Sequence, residues 1–139
     1  MKYLAPVVLV IASIVFLADS TSTMETSNKP VKIARIWRGW TSVQNAPKLE
    51  TILRDEAIPN IEKNKPDGLK GIQLFTLQNG DETMFTTVMY FDSIESVKAF
   101  AGEEYSKAHI DPAVRPLLLR YDEVVAHHTV KESKNWDSQ

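Results

Sequence analysis

The sequence predicts an α+β domain of the ferredoxin-like class, with the chain order βαββαβ and a four-stranded antiparallel sheet. Three features predict it. After a first strand, residues 46–63 carry an apolar stripe at helical spacing. Two β-rich runs, residues 70–77 and 83–91, flank the Asn79-Gly80 turn signal of a hairpin. Residues 83–130 then give a strand, a capped helix, a second capped helix and a closing strand.

The first strand is predicted over residues 31–40, where side chains alternate between two faces. One face carries Val31, Ile33, Arg35 and Trp37, and the other carries Lys32, Ala34, Ile36 and Arg38. The first helix is predicted from Ala46 to Lys63 with Asn45 as its cap. Pro59 is expected to kink or interrupt this helix, because proline lacks an amide hydrogen.

The second helix has clear signals at both ends. Asp92 or Ser93 is the predicted N-cap, Glu95 is placed to complete a capping box, and Gly102 ends the helix. Its buried face is predicted from the spacing of its apolar residues.

The last part of the chain is predicted to contain more helix and one strand. Residues 103–110 are expected to add a helical turn. Asp111 before Pro112 predicts a short helix that runs to Leu119, and residues 121–130 are the last strand.

Two helices cover only one face of such a sheet. The other face is rich in apolar residues, so we expect a homodimer that packs sheet face against sheet face.

Residues 1–20 are interpreted as a signal peptide or an N-terminal anchor, because Lys2 precedes an uncharged apolar run that ends at Ala18-Asp19-Ser20. This predicts an exported protein, periplasmic or extracellular, or a membrane-anchored one that meets the membrane only through this segment if it is uncleaved. Translation from Met24 would instead give a cytoplasmic protein. The rest of the chain divides into a flexible linker, the folded domain and a polar C-terminal tail at residues 21–30, 31–130 and 131–139.

The composition excludes several classes of function. The chain has no cysteine, so it has no disulfide, thiolate nucleophile or zinc–thiolate site. Its formal net charge is −2 and it has no basic block, so nucleic acid is not an expected partner. It contains no P-loop, GxGxxG, HExxH or GxSxG motif. We expect neither a metal nor a cofactor.

Several segments resemble the antibiotic biosynthesis monooxygenase superfamily of dimeric α+β barrels. They are IARIWRGWT in the first strand, the loop with Pro66, Gly68 and Gly71, FDSIESVKAFAG, and DEVVAHHTV in the last strand. The resemblance spans residues 31–130 and points to a largely uncharacterised subgroup. It implies a homodimer with a cavity between the helices and the sheet of each protomer. It also implies cofactor-independent oxidation of a small aromatic or hydrophobic molecule.

The resemblance leaves two other functions open. Many members have no known activity, so a non-catalytic homodimer that binds a small ligand is one alternative. Other members degrade haem, and these usually carry an Asn on the first strand, a Trp after the third strand and a His that ends an Ala-His pair. This chain has Ala108-His109, but Phe91 stands where the Trp would be, and the first strand has no Asn. Haem binding through His109 is the second alternative.

His127 and His128 are adjacent on the last predicted strand. Their side chains must point to opposite faces, so the two cannot hold one metal ion together. The resemblance favours His127 as a catalytic base, because subgroup members commonly carry histidine there and imidazole titrates near neutral pH. The alternative is a structural, hydrogen-bonded histidine at one position and a surface or interface histidine at the other.

Arg35 and Arg38 lie on a strand that is central in this fold, where an arginine needs an ion-pair partner or a polar cavity. In the functional interpretation, one of them is a catalytic group that stabilises a substrate anion, beside Trp37 as a ligand-binding wall. The alternatives are an interface ion pair with an acid such as Asp122 or Glu123, and a core position for Trp37.

Four more residues are predicted to form the ligand site. Tyr105 and His109 are four apart and would share a face if residues 103–110 were helical. With Phe91 and Phe100 they would rim the mouth of the cavity. The alternative is ordinary amphipathic packing.

Overall fold

The computed structural model describes residues 29–136, and the chain from Val31 onward forms one compact unit. The predicted signal peptide or anchor, most of the predicted linker and the last three residues of the predicted tail lie outside the described residues. Residues 131–136 have no regular secondary structure. Within the described part, no helix is long and apolar enough to cross a membrane.

The predicted ferredoxin-like α+β class is confirmed. The sheet is antiparallel, with the order β2-β3-β1-β4, and β5 pairs with the same edge of β1 as β4. The fourth position of the sheet is therefore held by two short strands rather than one, so the sheet has five strands where four were predicted. Its strands are β1 (Ile33–Ser42), β2 (Leu69–Asn79), β3 (Glu82–Phe91), β4 (Leu118–Tyr121) and β5 (Ala126–Thr129).

The helices lie in two places along the chain. The first helical stretch consists of α1 (Ala46–Ile52), a π-helical segment (Leu53–Ala57) and α2 (Ile58–Asn64). The second helical stretch is α3 (Ile94–Ala101).

The interruption predicted at Pro59 is confirmed and takes the form of a π turn. The amide of Ile58 donates to the carbonyl of Leu53, five residues earlier. Pro59 has no amide to continue the normal ladder, and the wider turn lies immediately before it. The predicted side-chain cap at Asn45 is wrong, because no cap hydrogen bond is formed; instead, the amide of Asn45 donates to the hydroxyl of Ser42.

The ends of α3 are where the sequence predicts them. Ser93 is the N-cap, and its hydroxyl accepts from the amide of Ser96 at 3.2 Å. Ser96, and not Glu95, therefore occupies the third helical position. Gly102 ends the helix with φ of 86°, a conformation that a side chain disfavours.

The short helix predicted over residues 112–119 is wrong. Asp111 does accept from the amide of Ala113, at 2.7 Å, but only a 3₁₀ turn over Arg115–Leu117 follows. Pro116 removes the amide that a longer helix would need, and Leu118 already belongs to β4. The helical turn expected over residues 103–110 is also absent.

The predicted last strand is broken between β4 and β5. The amide of Asp122 still donates to the carbonyl of Arg38 on β1, at 2.9 Å, but residues 123–125 leave this edge and pair with the segment before Asp111. The amide of Val125 donates to the carbonyl of Ser106 at 2.7 Å. The amide of Ala108 donates to the carbonyl of Glu123 at 3.0 Å. These bonds replace the helical bonds that were expected for residues 103–110.

The helices pack on one face of the sheet in two separate clusters. One is centred on Leu49, Leu53 and Phe85. The other is centred on Phe91 and Val97. Burial of side chains of this size contributes about 1.5–3 kcal/mol each, so these clusters supply much of the stability. A cavity lies between the two clusters.

The opposite face of the sheet, which we call the open face, contributes no residue to either core cluster. Phe75 and Leu77 on this face are 48 % and 58 % exposed. The strand registers place their neighbours on the same face, namely Ile36, Trp40, Met84 and Val88.

Gly68 lies where no side chain fits. A Cβ added there would be 1.8 Å from Ser96 Oγ and 2.5 Å from Asp92 Oδ1. We expect Gly68→Ala to destabilise the protein by about 1–3 kcal/mol, because the capping residues of α3 must move. Urea unfolding measures this. Gly71→Ala is the control, since its Cβ would meet nothing nearer than 3.8 Å. An equal loss of stability in both variants would contradict the steric explanation.

Candidate functional site

A cavity of about 200 Å³ lies between the two core clusters, on the helix side of the sheet. Its walls come from β1, β3, the π-helical segment, α2, α3 and the segment that leads to Asp111. Most of its lining is apolar, including Trp37, Leu53, Met89 and Phe100. The cavity therefore suits an apolar or aromatic molecule.

Arg35 is the one cation in the cavity lining, and it is only 8 % exposed. Its Nη1 donates to the main-chain carbonyl of Tyr105 and to Nε2 of His127, the latter at 2.8 Å. Within residues 29–136, no carboxylate forms an ion pair with it. Burial lowers the pKa of Arg35, yet arginine stays protonated in proteins. A positive charge is thus held beside an apolar cavity by two neutral acceptors.

His127 lies opposite Arg35 in the register of β1 and β5. Because a guanidinium can only donate, Nε2 of His127 must accept, so the imidazole is neutral and carries its proton on Nδ1. Burial lowers the pKa of His127, and the charges of Arg35 and His128 lower it further. A hydrogen bond with the backbone of Val125 raises this pKa in part, but the net shift is downward. The ring of Tyr105 meets His127 edge-on at 5.1 Å.

The structure brings several predicted residues to the cavity and leaves others outside its lining. Trp37, Phe100 and His109 line it, with His109 exposed. Phe91 is fully buried and packs on Phe100 with ring centroids 5.8 Å apart, so it supports the wall from behind. Tyr105 packs against His127, which accepts a hydrogen bond from Arg35. Tyr105 does not share a helical face with His109.

Arg38 lies on the open face. Its Nε and Nη2 donate to the carboxylate of Asp122 at 2.8 and 3.2 Å, and this bond raises the pKa of Arg38. The ion pair with Asp122 is confirmed for this arginine within one chain. The main-chain carbonyl of Asp122 accepts from the indole of Trp37 at 3.1 Å, so one residue fixes side chains on both faces of β1.

The two histidines do point to opposite faces, as predicted. His128 pairs with Ala34 on the open face, and His127 with Arg35 on the helix side. Among the described residues there is no group of three or more metal-ligating side chains close enough to hold an ion.

Some parts of the site had no signal in the sequence. The acceptor of the Arg35 hydrogen bond at Tyr105 is a main-chain carbonyl, which every residue has. Leu53 and Met89 look like ordinary core residues by their spacing. Asp111 is interpreted as a helix cap, yet it also lines the cavity.

No protein-family model matches this chain, and no curated protein matches it either. Among solved structures, it is similar to a crystal structure from Bacillus cereus described as "putative antibiotic biosynthesis monooxygenase". The TM-score is 0.57 with 15 % sequence identity, over 78 % of this chain and 100 % of that chain. This likeness establishes the fold. It agrees with the fold that the resemblance of residues 31–130 implies.

Stability should fall as the pH is lowered, and His127 should account for part of the loss. The folded state keeps its imidazole neutral, with a pKa below the ordinary 6.5, whereas the unfolded chain takes up a proton. Stability therefore falls as the pH drops through and below 6.5. Urea unfolding between about pH 8 and about pH 5 measures this.

In His127→Gln the loss should be smaller, because glutamine offers an acceptor to Arg35 but does not titrate. His128→Gln is the comparison, and it should keep most of the wild-type pH dependence, because the charge of His128 lowers the pKa of His127 less than burial and Arg35 do. Identical pH profiles for wild type and His127→Gln would contradict the assignment.

Proposed function

We propose that this chain is a monooxygenase-like protein that binds a small hydrophobic or aromatic molecule in the cavity and oxidises it with O₂ without a cofactor. The observation that carries the proposal is the buried Arg35 guanidinium, which has no carboxylate partner in the described structure and lines an apolar cavity. The fold shared with the Bacillus cereus structure supports the oxidative chemistry.

The chemistry uses a substrate whose anion can react with O₂ directly. Loss of a proton from an activated carbon leaves an electron-rich anion, and Arg35 stabilises that negative charge in a site of low dielectric constant. If the carbon is a CH₂ group, it gives four electrons to O₂ and becomes a carbonyl. One oxygen atom enters the product and the other leaves as water with the two hydrogens.

The geometry favours different roles for His127 and His109. His127 does not line the cavity, and its Nε2 is already bonded to Arg35. In this proposal it positions the guanidinium. His109 lines the cavity and is exposed, so it can take the substrate proton and release it to water. The role of base for His127 stays a prediction. Trp37 and Phe100 are ligand-binding walls.

A non-catalytic small-ligand-binding protein is the second candidate function. The observation that favours it is that the imidazole nearest to Arg35 is occupied by a hydrogen bond, so no free base lies next to the buried charge. Haem fits less well. A porphyrin has four pyrrole rings around its metal, and a cavity of about 200 Å³ is too small to enclose it.

The first test is oxygen uptake by the purified protein with a panel of quinols and anthrone-type compounds. We expect turnover with at least one compound. Arg35→Met should lower kcat roughly 100-fold, as loss of an oxyanion-stabilising group does. Arg54→Met is the control, because Arg54 is exposed and pairs only with Glu50 on the same helix. No uptake by the wild type with any compound would favour the non-catalytic alternative.

We further infer that two copies of the chain pack through the open face. Trp40 on this face lies between Arg38 and Arg120, whose guanidinium carbons are 5.3 and 4.7 Å from the ring centroid. Each arginine also pairs with an acid, Asp122 and Glu82 respectively, at 2.8 Å. Both signs of charge therefore flank an apolar surface, an arrangement that can be self-complementary across a two-fold axis.

Sedimentation velocity tests the dimer. We expect the wild type to be dimeric and Phe75→Glu to be monomeric, because the substitution places a charge on the apolar part of the open face. Val124→Glu is the matched control: Val124 is 70 % exposed but lies in the loop between β4 and β5. A monomeric wild type, or a Phe75→Glu variant that stays dimeric, would contradict the proposed interface.

A further inference from the structure

The Arg35 guanidinium has an unused edge. Arginine has five N–H donors, and both hydrogen bonds of Arg35 come from Nη1. Nε and Nη2 together hold three more N–H groups, which have no hydrogen-bond partner among the described residues. The side chain is nearly buried and lines the cavity. Buried donors of this kind ordinarily have partners, so a ligand is expected to supply them.

The shape of this edge selects a carboxylate. Two parallel donors match the two oxygens of a carboxylate, whereas a phenolate offers one oxygen. The same chain shows the match on the other face of β1, where Nε and Nη2 of Arg38 hold both oxygens of Asp122 at 2.8 and 3.2 Å. The equivalent edge of Arg35 has no such partner within residues 29–136.

The cavity limits the size of the ligand. A cavity of about 150 Å³ is enough to hold benzene, and pockets for drug-sized molecules measure about 300–1,000 Å³. At about 200 Å³, this cavity has room for one ring and a small substituent. Its wall includes the rings of Trp37 and Phe100 and the sulfur of Met89, which favour contact with an aromatic ring.

Asp111 is the one acidic residue in the cavity lining, and it bears on this choice of ligand. It is exposed, and one of its carboxylate oxygens accepts from the amide of Ala113. Water screens its charge far more than it screens that of the buried Arg35. The charge inside the cavity is therefore positive.

We propose that the cavity binds a one-ring aromatic carboxylate, with the carboxylate on the Nε–Nη2 edge of Arg35 and the ring against Trp37, Phe100 and Met89. This rests on the same site as the proposed function and names the class of its substrate. His127 and the Tyr105 carbonyl hold the opposite side of the guanidinium, so the free edge is oriented before the ligand arrives.

Calorimetric titration of the full chain with four compounds tests the ligand class. Benzoate is the probe, benzyl alcohol is its neutral counterpart, phenol offers a single oxygen, and anthracene-9-carboxylate has three fused rings. We expect benzoate to bind at least tenfold more tightly than each of the others. Equal binding of benzoate and benzyl alcohol would overturn the role of the charge. Tighter binding of the three-ring acid would overturn the size limit.

Variants then assign the charge to Arg35. Arg35→Met should weaken benzoate binding at least tenfold and leave benzyl alcohol within about twofold, because only the ionic contact is lost. Arg35→Lys keeps the charge but not the fork, so it should also weaken benzoate. Arg54→Met should bind both compounds like the wild type. Unchanged benzoate binding in Arg35→Met would overturn the proposal, and the wild-type series decides it even if a variant does not fold.

The outcomes separate this inference from the proposed oxidation. If benzoate binds as expected and no compound causes oxygen uptake, the ligand class stands and the oxidation fails. If uncharged or polycyclic compounds are oxidised and benzoate does not bind, the oxidation stands and the ligand class fails.

Discussion

The buried charge of Arg35 is the constraint on which the site depends. An ionised guanidinium is costly to bury, and the two groups that hold it, the Tyr105 carbonyl and the His127 imidazole, are both neutral. They orient the cation without cancelling its charge. Burial also keeps His127 in its neutral form, which is the form that can accept from Arg35. The three groups therefore act as one unit that holds a positive charge in the lining of an apolar cavity.

The break in the last strand makes this unit possible. Because residues 123–125 leave β1, they pair with residues 106–108 and hold that segment against the sheet. The neighbouring residues then bring the Tyr105 carbonyl to Arg35 and His109 to the cavity wall. In a regular helix over residues 103–110, the carbonyl of Tyr105 would accept from the amide of His109 along the helix and would not be available to the guanidinium. The irregular connection thus supplies both a ligand for the cation and part of the cavity.

Much of the fold follows from local signals in the sequence. Alternation in β1 places Arg35 and Trp37 on one face and Arg38 on the other, as the structure shows. Ser93 and Gly102 mark the ends of α3 because capping is a local interaction. The Asp111 signal misleads for a related reason. Its side chain does cap a turn, but Pro116 prevents a helix from continuing, and the carbonyl of Leu117 accepts from Thr41 on β1 instead.

The sequence by itself determined the ferredoxin-like class, the division of the β1 side chains between two faces and the candidate residues of the site. Only the tertiary structure decided what each residue does there. The acceptors of Arg35 lie 70 and 92 residues away along the chain, and one is a main-chain carbonyl that no side-chain pattern reports. The tertiary structure also gave the two arginines different partners. Arg38 pairs with a carboxylate, whereas Arg35 has none among the described residues. The reason is physical: periodicity and caps reflect local hydrogen bonds, whereas the burial and pairing of a charge depend on long-range contacts.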